Sequence, residues 1–107
     1  MHKMTRATAI PPNVKEIVFD RDDHRCILCY SNQGVPNAHV VRRSQGGMGV
    51  EQNIVTLCPC CHREFDEGKN AGQLYGEIVA HLKQFYPDWT REQVVYRKWQ
   101  ANTLCQR

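Results

Sequence analysis

Apolar residues along this chain fall into short, separately phased groups. The longest regular group is Leu74, Ile78, Leu82 and Phe85, whose spacing predicts a helix over 73–85, stopped by Pro87. Val14, Ile17 and Val18 give a shorter helical face near the start. Asn13 is placed to cap that helix, with Glu16 three residues on as in a capping box, and Asp22-Asp23 should end it. Two extended runs lie between: Val35 to Val41, interrupted by Pro36, and Asn53 to Leu57, carrying Ile54, Val55 and Leu57. His62 to Glu67 suits a helix closed by Gly68, and Asp88 or Thr90 should cap a last helix reaching about Trp99. Ser31 to Gly34 and the Gly-rich run from Arg42 to Gly49 read as loops, and residues 1–12, ending in Pro11-Pro12, as a flexible arm.

Two short strands among helices predict an α+β fold. The expected organisation is an arm over 1–12, a core over 13–70, and a helical extension over 71–107 that packs on the core through Trp89, Trp99, Tyr96 and Tyr86. At 107 residues such a chain has a small hydrophobic interior, so a cross-link or a metal adds needed stability. No apolar run is long enough to span a membrane, and residues 1–13 lack the apolar stretch of a signal peptide; a cytoplasmic protein is expected. The net charge of +3 permits a nucleic-acid partner without establishing one.

The six cysteines change this picture. In a cytoplasmic protein they do not read as a disulfide framework. Cys26 and Cys29 form one C-x-x-C pair, and Cys58 and Cys61 form a second. Two such pairs can complete one tetrahedral zinc shell. Cys60 competes with Cys61 for the fourth position, and the matched two-residue gap favours Cys61. Cys105 lies in the tail and reads as a plain thiol.

The order of parts carries more information: a cysteine pair, Ala38-His39-Val40-Val41-Arg42-Arg43-Ser44-Gln45-Gly46-Gly47, then Asn53-Ile54-Val55-Thr56-Leu57-Cys58-Pro59-Cys60-Cys61-His62-Arg63-Glu64-Phe65-Asp66. This stretch resembles the HNH endonuclease family, in particular its zinc-stapled four-cysteine branch and its small, phage-like, stand-alone members. The resemblance implies a ββα-metal core with flanking helices, and it maps the three name-giving residues onto His39, Asn53 and His62. It implies a metal-dependent DNA endonuclease that leaves 5′-phosphate and 3′-hydroxyl ends. Its partner would be DNA. A homodimer, or association with phage packaging or restriction machinery, follows by analogy alone.

The chemistry accounts for these residue types. An imidazole titrating near neutrality can take a proton from water, which assigns His39 as general base. His62 and Asp66, four residues apart, share one helix face and can hold a catalytic divalent ion: Mg²⁺, Mn²⁺, Ni²⁺ or Zn²⁺. Asn53 is expected to fasten the loop between the strands and aim His39. Arg42, Arg43 and Arg63 could contact phosphates. Where many relatives carry a further metal ligand just before the base, this chain has Ala38. Either the ion is held by His62 and Asp66 with waters, or His39 itself is a ligand; Asn37 is a weak substitute. The competing class of function is a zinc-stapled nucleic-acid-binding module that does not cut.

Overall fold

The computed structural model describes residues 3–96. Helices α1 (Lys3–Thr8) and α2 (Pro12–Arg21) lead into strand β1 (Val35–His39), strand β2 (Ile54–Leu57), and helices α3 (Pro59–Glu67) and α4 (Ala71–Phe85). Short 3₁₀ turns at Arg43–Gln45, Glu51–Asn53 and Arg91–Val94 fill the connections. This is an α+β fold with a ββα core, as the strand and helix patterns predict.

The strands pair antiparallel, with Ala38 opposite Val55 and His39 opposite Ile54, and an irregularity between Val35 and Ala38. Pro36 lies at that irregularity, where its missing N–H removes no central ladder bond. Every residue of β2 is buried, including Thr56. Ala38, Val55, Leu57, Phe65, Ile78, Leu82, Trp89 and Val94 are among the buried side chains that join strands to helices in one interior.

Several element boundaries differ from the sequence expectation. Helix α2 begins at Pro12 rather than after Asn13 and has no side-chain cap bond. Pro12 starts it instead, because a first-turn proline has its φ already set and lacks only an N–H that would be unpaired. Of the stripe on α4, Ile78 and Leu82 are buried, while Phe85 remains 45% exposed. In place of a last helix from Thr90 there is a single 3₁₀ turn, after which Val95 bridges to Gly47. Trp99 and Cys105 lie outside the described residues. Residues 3–8, read from the sequence as part of a flexible arm, are helical, and Thr8 is buried. Ala7 and Thr8 make tertiary contacts, with Gly49, His39 and Arg43, so no local pattern announced them.

Asp22 ties the elements together. Its buried carboxylate accepts two bonds from Arg21 (2.8 and 3.0 Å) and the Thr56 N–H (2.9 Å), and its Oδ1 lies 2.8 Å from His81 Nε2. Arg21 continues to the carbonyls of Glu51 and Ile54. One carboxylate thus links α2, β2 and α4. Burial alone would raise its pKa, but the bonds from His81 and Arg21, the arginine charge and the Thr56 N–H outweigh this and hold it below its ordinary value near 3.8. A depressed folded pKa contributes stability above the unfolded value, and that contribution is lost as pH falls through the folded one. Asp22→Ala should therefore cost about 3–5 kcal/mol in urea unfolding near pH 7, because it strands a buried guanidinium. The gap from wild type should shrink as pH drops below about 3.8.

Candidate active site

The first cysteine pair lies on a tight turn. Cys26 N–H donates to the Ser31 carbonyl, Tyr30 N–H donates back to the Cys26 carbonyl, and Ile27 N–H donates to Thr56, which moors the turn to β2. The second pair opens α3, where Cys58 Sγ accepts the Cys61 N–H at 3.4 Å. The sulfurs of Cys26, Cys29, Cys58 and Cys61 all lie within 4.8 Å of one another. Cys60 is exposed and is not part of this cluster.

The donor set suits a tetrahedral cation. Cys29 Sγ and Cys58 Sγ are 3.6 Å apart, close to the edge of roughly 3.8 Å expected for a tetrahedron with metal–sulfur bonds of about 2.3 Å. The thiols are also electrostatically split. Against the cost of burial, backbone N–H groups of Cys29, Cys58 and Leu28 bring Cys26 down to about 7. Burial and the neighbouring sulfurs push Cys61 well above its ordinary value. Four adjacent thiolates repel one another unless a cation offsets them, and a metal such as zinc does so.

A second site lies beyond the end of β1. His39, Arg42, Arg43, His62 and Asp66 line one cavity of about 480 Å³, together with Asn37, Ser44 and Glu67. His62 and Asp66 face it from α3, with Nε2 and Oδ2 3.4 Å apart and both side chains partly exposed. A divalent ion about 2.1 Å from each donor fits that separation, and two donors leave most of its shell open. Arg42 reaches the main-chain carbonyl of Asp66 at 2.7 Å, which joins the loop to α3. Arg63 is exposed and does not line the cavity.

His39 is half-buried, and its Nε2 lies 2.8 Å from the Thr8 carbonyl. Burial lowers its pKa; the Thr8 bond works against this, while the charges of Arg43 and His62 add to it. The net shift, below the ordinary 6.5, favours the neutral ring that a proton acceptor needs. Ala38 is fully buried in the core, on the opposite face of β1 from His39. Asn37, two residues before His39, shares its face and lines the cavity.

Asn53 is fully buried. Its Oδ1 accepts the Val41 N–H at 2.8 Å, and its Nδ2 donates to the carbonyls of Val41 (3.1 Å) and Met48 (2.9 Å). One amide thereby closes both ends of the loop between the strands. Gly46 turns that loop with φ +85°, a conformation glycine adopts without strain.

Comparison with known proteins adds two relatives. Over 82 residues the chain is 38% identical to the type IV methyl-directed restriction enzyme EcoKMcrA of Escherichia coli (strain K12), a match covering 68% of this chain and 30% of that protein. The chain thus spans under a third of the restriction enzyme's length. It is also 33% identical over 53 residues to anaredoxin of Nostoc sp., covering 49% of this chain and 70% of anaredoxin. The chain belongs to the anaredoxin family. No family model matches it. The anaredoxin match sets kinship without chemistry; the restriction-enzyme match and the four-sulfur cluster together fit a zinc-stapled member of the HNH type.

The sequence pattern did not point to Ser44 or Glu67 at the cavity, nor to Thr8 as the partner of His39. Ser44 and Glu67 flank residues already singled out, so adjacency was their signal. Thr8 had none, because its contact with His39 is made by a main-chain carbonyl.

Proposed function

We propose that this chain is a zinc-stapled HNH endonuclease that hydrolyses DNA phosphodiester bonds with one catalytic divalent ion. The observation that carries the reading is the convergence of His39, His62 and Asp66 on one cavity rimmed by Arg42 and Arg43. Likeness to a restriction enzyme supports DNA as the substrate.

In this mechanism Arg42 and Arg43 hold the phosphate, each able to donate two parallel bonds to its oxygens. His39, whose neutral form the lowered pKa favours, takes the proton from the attacking water. A divalent ion on His62 and Asp66 would offset negative charge at the phosphate and the departing oxygen. Asn53 acts at a distance from the reaction, by fixing the loop that follows His39. The four cysteines, with zinc, hold α3 against the sheet and so keep His62 opposite His39.

One observation favours the alternative of a module that binds nucleic acid without cutting. Ala38 faces the core, so the ion has only two side-chain donors on α3. A cleavage assay on supercoiled plasmid with Mg²⁺, Mn²⁺ or Ni²⁺ separates the two. Nicked or linear product that vanishes with chelator is expected. Retained DNA binding with no product under any of the three ions would favour the binding module.

A further inference from the structure

We infer that residues 7–9 complete the active site, with the main-chain carbonyl of Thr8 as the positioning group that fixes the tautomer of His39. The inference rests on His39 acting as a base. A carbonyl can only accept, so His39 Nε2, 2.8 Å from Thr8 O, must carry the ring proton. That leaves Nδ1 with the lone pair and makes it the nitrogen able to take a proton from water. Without a fixed partner a neutral imidazole samples both tautomers, and the wrong one presents an N–H where the lone pair is needed.

The segment is built into the site at three further points. Gly49 N–H donates to the Ala7 carbonyl at 3.0 Å. Arg43, an arginine of the cavity, donates from Nε to Thr8 Oγ1 at 3.3 Å. Gly49 itself has room for nothing larger, since a Cβ there would overlap the Ala9 carbonyl. Thr8 is 2% exposed as a result. A stretch lying outside the ββα core, and remote from it in sequence, thus holds both the base and a phosphate-binding arginine. Undocking this stretch would disarm the site without altering any of the core's own side chains.

The test is ¹⁵N imidazole NMR on the zinc-loaded full chain at pH 8, beside steady-state plasmid cleavage. Wild-type protein should show His39 as the Nε2–H tautomer alone. Gly49→Ala crowds the Ala9 carbonyl, and Ala7→Pro breaks α1. Each should give mixed tautomers and a kcat reduced roughly ten- to a hundredfold, as expected for a misaligned base, with a rise in KM as Arg43 loses its hold on Thr8. An unchanged tautomer in a variant that still holds its zinc overturns the inference, and so does an Nδ1–H tautomer in wild type. If no form cuts DNA, the nuclease reading fails while the tautomer measurement still decides this one. Should neither variant retain zinc, the wild-type spectrum alone decides.

Discussion

Cys58→Ala should leave the chain largely unfolded at room temperature, and a strong chelator should do the same to the wild type. The four sulfurs are part of the structural centre: Cys26 is fully buried and Cys58 nearly so, both within the cluster that joins sheet and helices. Structural zinc in such sites contributes about 10–16 kcal/mol of apparent binding free energy. Small domains have a net stability of only about 5–15 kcal/mol. Losing one of four thiolates weakens the metal site and also opens a gap between β2 and α3, whose first turn Cys58 caps. Far-UV circular dichroism and bound-zinc content should fall together. Cys60→Ala provides the contrast: this thiol is exposed and outside the cluster, so fold and zinc content should be unchanged. A Cys58→Ala protein that keeps a cooperative melt would remove metal binding from the account of stability.

The parts legible in the sequence were those whose signal is local and chemical. Paired cysteines announce a shared metal because no other common arrangement needs two matched turns. The His62 and Asp66 spacing places both on one helix face whatever surrounds the helix. The strands were legible from Ile54, Val55 and Leu57 and from the apolar run into His39, although β1 ends at His39 rather than Val41. What sequence missed was tertiary. Asp22-Asp23 reads only as a helix end, yet Asp22 is buried, where Arg21, His81 and the Thr56 N–H converge on it. Thr8 reads as part of an arm, yet its carbonyl meets His39. Main-chain groups are alike at every residue, so composition cannot mark the one that matters.

His39→Ala should lower the rate of plasmid cleavage by about 10²–10⁴-fold, the usual contribution of a positioned general base. That corresponds to roughly 3–5 kcal/mol of transition-state stabilisation, at 1.36 kcal/mol per factor of ten. The fold should hardly notice. The variant loses one hydrogen bond to Thr8, worth about 1 kcal/mol, and leaves both the four-cysteine cluster and the core contacts in place. The pH dependence of the wild type supplies a second readout. His39 is competent only when neutral, so the rate should fall as pH drops through its pKa. Burial, Arg43 and His62 hold that pKa below the ordinary 6.5, despite the Thr8 bond. A divalent ion on His62 and Asp66 would add positive charge nearby and push it in the same direction. The acidic limb should therefore lie below pH 6.5, and it should disappear from the residual activity of His39→Ala. Cleavage by that variant at wild-type rate, with zinc content intact, would mean the water loses its proton to another group.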